Sequence, residues 1–532
     1  MEKINARKLS LIFIFVLILL VLALLVGKFS YSYLGQRIGE DLEGQGEVTA
    51  SGDTLIFSKG NNLSLSATSD NFTTGGSNLS STTNPKVKLV ASSRTNEANA
   101  TYYVGVFIKN NSYTYSTSDN TPEVILTIKD ENGNNVTSGV AGLSYVTSGG
   151  VSGFDVTKAN GIYNVKTDYP ISTTSSTTGT THTWTFTLTF VNLSTDQSVN
   201  ENAKMNIDVY IQKEEYKITL ADYVISQYTG TQGENNIYYH DLTLANGAGD
   251  NNYRYAGPSD QVNNFVCFGS TTSPCPTDNL YRIIGVFGEN YHGVSGQQLV
   301  KLIKYDYANS NLLGTDGDYS ELSTPDSTYL GSLSSINTYY WNNATATNTW
   351  SESNLNKMNL NTNFINNIGT NWANKIATTT WKVGGFGYQL IGNGSSSGVI
   401  NVDPFIPSVT FQKEIGSSSS TTTENVKIGL IYVSDYFYSA SPSAWELFGY
   451  NSDATKDYRV AISVNWMYMG LHEWTITRSL TSAGTSFFIQ GVGAVPNFNV
   501  NNSYAIRPSF NLESSVTYKS GSGSMNNPII LN

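Results

Sequence analysis

Trp184, Phe186, Leu188 and Phe190 alternate with Thr185, Thr187 and Thr189. A period of two puts every apolar side chain on one face of an extended strand and every hydroxyl on the other. Such a stretch is satisfied only in a sheet with one buried and one wet face. Met205, Ile207, Val209 and Ile211 repeat the pattern, and residues 102–108 and 124–128 read as further strands. Asp130-Glu131-Asn132-Gly133-Asn134 is a hairpin signal, because Asn-Gly accepts the positive φ of a tight turn. The Ser/Thr tract 172–183 reads as a long hairpin loop, and helical periodicity is missing over residues 47–212. Short strands separated by Gly, Asn and Ser turns predict an all-β, immunoglobulin-like sandwich over residues 47–215.

One core does not serve 532 residues, so a second folded region is expected. Charged residues make up 13%, about half the usual share, and the 34 tyrosines stand among abundant Gly, Ser, Thr and Asn. That composition suits a β-rich protein of the cell exterior. With 41 acidic against 30 basic residues the net charge is −11, which opposes polyanion binding and sets nucleic acid aside as a partner.

Residues 9–26 form an apolar run broken by one serine, long enough as a helix to cross about 27 Å of hydrocarbon. Lys3, Arg7 and Lys8 precede it, which places the N-terminus inside. The expectation is a cytoplasmic tail (1–8), a transmembrane signal anchor (9–28) and a short stalk (29–46), in a single-pass protein of the cell membrane with its bulk extracellular. The alternative is a cleaved signal peptide, but Gly27-Lys28-Phe29 follows the run in place of an Ala-x-Ala site. Cys267 and Cys275 are the only cysteines. In an oxidising exterior they would close a short loop; the alternative is two buried thiols.

Residues 216–264 read as a linker and entry to the second domain, expected over 265–532. Residues 280–287 and 299–305 predict a hairpin. Ser351 or Ser353 can cap a helix in which Leu355, Met358, Phe364, Ile365 and Ile368 recur at helical spacing before Gly369. A second short helix is expected over 372–377, and strands over 426–433, 460–464, 485–490 and 505–512. Strand pair, helices, then strands make an α+β domain.

The series Trp350-Ser351-Glu352-Ser353-Asn354-Leu355, Ile428-Gly429-Leu430-Ile431-Tyr432-Val433-Ser434-Asp435 and Asn465-Trp466-Met467-Tyr468-Met469-Gly470-Leu471-His472-Glu473-Trp474, closed by Ala505-Ile506-Arg507-Pro508-Ser509-Phe510-Asn511-Leu512 and a Gly-Ser tail, resembles C-type-lectin-like domains of bacterial surface proteins. These are related in fold to formylglycine-generating enzymes and include targets of diversity-generating retroelements. The resemblance covers roughly 280–531. It implies that the tract before the closing strand carries the ligand surface, here residues 478–504, with Arg478, Thr481, Thr485, Phe487, Gln490, Asn497, Asn499, Asn501, Asn502 and Tyr504 as candidate ligand-binding residues. A tract rich in aromatics with Ser, Thr and Asn has the composition of a contact surface. Oxidase chemistry of the formylglycine type needs late cysteines, and none follows Cys275.

Other chemistry is weakly signalled. His472-Glu473 with Asp435 or Glu446 would supply a hydrolase's acid and base, but adjacent side chains on an extended segment point to opposite faces. Asp316, Asp318 and Glu321 offer a calcium loop whose plainer reading is a turn, and the turn at Asp130 lacks a downstream Glu at EF-hand spacing. No cofactor is expected. Trp466 and Trp474 read as core, and Arg507 as a buried ion-pair partner. The expected function is a membrane-anchored surface protein presenting a lectin-like domain for adhesion to a protein or glycan, not an enzyme. A structural envelope component and a surface hydrolase are the alternatives.

Overall fold

The computed structural model describes residues 45–50, 52–72, 76–109, 111–386, 407–416, 421–445 and 458–532. The expected tail, anchor and stalk up to residue 44 lie outside them, as does Glu446. No helix among the described residues is long and apolar enough to cross a membrane. Strand accounts for 37% against 16% helix, so the fold is β-rich.

The alternation at residues 184–190 builds the first unit. The strand Thr185–Phe190 lies between Leu79–Thr83 and Val124–Lys129, both antiparallel to it. Phe186, Leu188 and Phe190 are buried on one face, and on the other Thr187 and Thr189 exchange hydroxyl hydrogen bonds with Thr82 and Ser80. A second sheet runs Gly161–Thr173, Ala98–Lys109, Lys204–Gln212, Leu63–Ser66, and its Val104, Val106, Met205 and Ile207 join the same core. Gln45–Ala50, Asp53–Ser58, Lys86–Val90 and Thr180–Thr183 form a third sheet. The turn at Asp130 forms as expected: Oδ1 of Asp130 accepts the N–H groups of Asn132 and Asn134, and Gly133 takes φ +80°.

Residues 216–264 do not form a linker. Ile218, Leu220, Tyr223, Val224 and Ile237 are buried in the core of the second unit. Thr219 caps the helix Leu220–Ser226 by accepting the N–H of Asp222. The main sheet then runs Ile237–Tyr239, Tyr253–Tyr255, Leu280–Phe287, Leu299–Lys304, Ser509–Asn511, Ile428–Gly429. The hairpin read at residues 280–305 is present, with Tyr281 opposite Lys304 and Phe287 opposite Leu299. Cys267 and Cys275 are disulfide-bonded.

Elsewhere in this unit, expectation and structure part. The stretch 426–433 holds only the short strand Ile428–Gly429 and then enters the helix Val433–Tyr438, while 460–464 is helical. The short helix is Thr370–Ala373. The expected α-helix after Ser353 is a π-helix, Leu355–Phe364. Its wider turn replaces the spacing of three: Leu355, Leu360 and Phe364 are buried, and Met358 is left exposed. Buried asparagine fastens this helix to the loop 313–318. Nδ2 of Asn359 donates to the carbonyls of Leu313 and Asp316, and its Oδ1 accepts the N–H of Asp318.

The two units meet through rings. Tyr210, on a strand of the first unit, stacks on Tyr216 at the entry to the second at 4.8 Å. Phe107, on a strand of the first unit, is buried in the core of the second, 6.3 Å from Tyr223. Phe107→Ala is expected to lower unfolding stability by about 3 kcal/mol and to split one denaturant transition into two; a single unshifted transition would show that the units are not coupled there.

Candidate functional site

The frame of the C-terminal tract is a four-stranded sheet in the order Gly385–Phe386, Glu473–Ser479, Thr485–Ile489, Asn497–Asn499. One buried ion pair holds it to the closing stretch. Arg507 donates from Nε to Oε1 of Glu473 at 2.9 Å and from Nη2 to Oε2 at 2.7 Å, and Nη2 also donates to the Met467 carbonyl at 2.7 Å. Both side chains are 2% exposed. Burial pushes the Glu473 carboxyl up, and the guanidinium pulls it back. The bidentate fork is a geometry that Lys cannot supply. Trp466 and Trp474 are buried, their indole N–H groups donating to the carbonyls of Tyr255 and Tyr339. Gly470, at φ +91°, passes so close to Thr328 that a Cβ would lie 1.7 Å from its carbonyl oxygen, so only glycine closes this loop.

His472 and Glu473 point apart, as two-residue alternation requires. The His472 ring stacks on Phe488 at 5.3 Å and leans on Tyr504 at 5.2 Å, while Glu473 is taken by Arg507. The two do not form an acid–base pair. Asp435 is likewise engaged, by Lys301 at 2.6 Å.

The ten candidate ligand residues divide. Thr481, Asn499 and Asn501 are exposed; Arg478, Thr485, Gln490, Asn497, Asn502 and Tyr504 are half-buried. Phe487 is a correction: it is wholly buried, 4.7 Å from Phe386, and belongs to the core. Tyr504 packs on Trp474 at 4.6 Å and Phe488 at 4.5 Å, and burial pushes its hydroxyl up to about 12. It therefore stays a neutral donor at physiological pH. Thr485 faces Asn499 and Phe487 faces Asn497 across the ladder, so these four share one side of the sheet, while Phe498 lies on the other, opposite Ser486. Asn502 ties the following turn, its N–H and Nδ2 both donating to the Asn499 carbonyl.

Sequence reading missed the residue that fixes the loop 479–485. Nδ2 of buried Asn348 lies within hydrogen-bond distance of the carbonyls of Ser479 (2.7 Å), Ser482 (3.0 Å) and Thr485 (2.8 Å). An asparagine inside Thr345-Ala346-Thr347-Asn348-Thr349 carries no local signal of that role. Also missed were Leu480, Val492 and Phe498. They are three of the ten large apolar side chains left exposed among the described residues, so the tract is enriched in unburied apolar surface. For Phe498 a signal existed, since it stands between two asparagines.

The calcium candidates do not converge. Asp318 accepts the N–H groups of Asn343 and Leu355, Asp316 accepts from Asn363, and Glu321 is exposed. No group of three metal-ligating side chains gathers among the described residues.

Behind the sheet lies Glu414, whose Oε1 accepts from the Val433 N–H at 2.8 Å and from the Thr477 hydroxyl, and whose Oε2 accepts from the Ser434 N–H at 3.0 Å. Burial pushes its carboxyl from 4.5 up to about 7. Between those values the folded chain holds a proton that the unfolded chain has released. The contribution of Glu414 to stability therefore falls as pH rises from about 4.5 to about 7, by roughly 3 kcal/mol in all. Denaturant midpoints measured across that window are expected to drop with pH in the wild type and to flatten in Glu414→Gln; equal slopes would remove Glu414 as the cause.

The Arg507–Glu473 pair gives a second expectation. Arg507→Ala leaves a buried carboxylate without its cation and is expected to cost about 3–5 kcal/mol, whereas Arg507→Met with Glu473→Leu recovers most of that loss. Urea unfolding of the two variants decides; equal losses would mean that the pair's charges are irrelevant.

With this geometry in hand, comparison with known proteins adds no relative: no family model, no curated protein and no solved structure matches the chain.

Proposed function

We propose that the chain is a non-enzymatic recognition protein of a cell surface, tethered by residues 9–26. In this reading an immunoglobulin-like sandwich carries a C-type-lectin-like domain whose tract 478–504 binds a protein or glycan. The observation that carries the proposal is the contrast between frame and tract. Glu473, Trp474, Ile476, Phe487 and Arg507 are buried and fix the backbone, while Thr481, Asn499 and Asn501 with Leu480, Val492 and Phe498 stand in water on that fixed backbone. Exposed apolar side chains among amide and hydroxyl groups, on a preorganised frame, are what a contact surface needs. Membrane attachment is supported by the apolar run and the basic residues before it. The retroelement version of the reading rests on the sequence resemblance alone, and adenine-biased codon variability over 478–504 in related genes would support it.

The test is a glycan and protein array probed with the detergent-solubilised full chain. Binding is expected to fall at least tenfold in Asn499→Ala/Asn501→Ala and in Phe498→Ala, with unfolding midpoints unchanged because all three side chains are exposed. Binding that survives all these substitutions would overturn the proposal in favour of a structural envelope role.

A further inference from the structure

Away from the surface tract, the second unit buries an amine against a carboxyl in an aromatic box, and the recognition surface uses neither. Lys301, on the strand Leu299–Lys304, has no exposed side-chain surface. Its Nζ lies 2.6 Å from Oδ2 of Asp435 and 2.6 Å from the Tyr291 hydroxyl. The rings of Tyr432, Tyr291 and Trp381 surround it at 4.5, 4.9 and 5.0 Å. Asp435 stands in the first turn of the helix Val433–Tyr438, where its Oδ2 accepts the Tyr432 N–H at 3.0 Å and its Oδ1 accepts the Tyr291 hydroxyl at 2.8 Å.

We propose that Lys301 and Asp435 condense to an intramolecular amide, joining Nζ to the Asp435 side-chain carbon and releasing water. The proposal is independent of what the surface binds. Its physical basis is that two charges facing each other among rings have lost their hydration, and a low dielectric favours the pair with both charges removed. Burial pushes the Lys301 amine down, towards its neutral nucleophilic form. A proton passes from Nζ to Oδ2 along their 2.6 Å hydrogen bond, leaving a neutral amine beside a carboxylic acid.

The nitrogen lone pair then attacks the carbon, and negative charge develops on Oδ1, to which the Tyr291 O–H already donates. A second proton leaves the nitrogen for Oδ2, the bond from carbon to Oδ2 breaks, and Oδ2 departs as water. An ammonium and a carboxylate thus become an amide and one water, with no oxidant or co-reactant. Tyr291 touches both reacting groups, so it is the catalytic residue of the step. Glu414, hydrogen-bonded to the neighbouring Val433 and Ser434 N–H groups, holds this helix end in place. The product would tie together positions 134 residues apart in sequence.

Peptide mapping of the purified full chain, reduced, denatured and digested with trypsin, tests this. The expected result is a branched peptide joining the segments around Lys301 and Asp435, one water lighter than the two linear peptides together, with no cleavage after Lys301, in most chains. Two linear peptides at full mass, with cleavage after Lys301, overturn the proposal and leave an ordinary buried ion pair. Asp435→Asn is expected to give the same branched peptide with loss of ammonia in place of water. A branched peptide that persists in Lys301→Arg would place the link on another amine and equally overturn it. Tyr291→Phe keeps the ring and removes the O–H, and is expected to slow formation at least tenfold in freshly made chains.

Discussion

Arg507 sits where water does not reach, and its fork is filled on one edge by Glu473 and by the Met467 carbonyl. Those contacts reinforce the meeting of the strand Glu473–Ser479, the loop before it and the closing stretch that delivers Ser509–Asn511 to the main sheet, which the parallel bridge between Glu473 and Ala505 also joins. Either charge without the other would stand uncompensated at the corner where Trp474 and Ala505 are hydrogen-bonded. The exposed side chains at 480–501 thus stand on a sheet anchored by this charge pair and a loop fixed by Asn348. A surface can vary in chemistry and keep its shape when its geometry is fixed from behind.

Much of the first unit was legible in the sequence, because its strands obey one rule. Where a strand is buried on one face, period two shows directly, as at Phe186, Leu188 and Phe190 and at Met205, Ile207 and Val209. The second unit was legible at its hairpin, where residues 280–287 are apolar apart from Arg282 and Gly285 and all are buried. It was misread where both faces of a segment are buried. Residues 428–433 are buried throughout, yet only Ile428–Gly429 is strand and Val433 opens a helix, and periodicity cannot separate helix from strand there. The stretch 216–264 was misread for the opposite reason. Its Gly, Asn and Asp suggest a solvated linker, yet Arg254 is buried with a two-point bond to Asp250 and faces the rings of Phe287, Phe411 and Tyr438.

The candidate site shows the same division. Arg507 was readable as an ion-pair partner, since an arginine among apolar residues needs a carboxylate. Phe487 was not readable as core, because its neighbours Ser486 and Thr485 look like surface, although Ser486 is buried with its hydroxyl donating to the Thr477 carbonyl. Asparagine is the least legible residue of all. The same residue type is solvated at Asn499 and Asn501, yet at Asn348, Asn356 and Asn359 it replaces missing backbone partners in the interior. Only the fold distinguishes the two uses.

The small sheet in which Ile218–Thr219 pairs with Thr517–Ser520, and that strand with Ile530–Leu531, has a mechanical consequence. Ile218 lies opposite Tyr518, so the second unit is entered and closed at one place. Tension arriving along the chain from the first unit meets this pairing before anything folded behind it. That ladder has to part before the residues folded between Thr219 and Thr517 can be drawn out from the N-terminal side, so a clasp of a few backbone hydrogen bonds sets where unravelling of the second unit would begin.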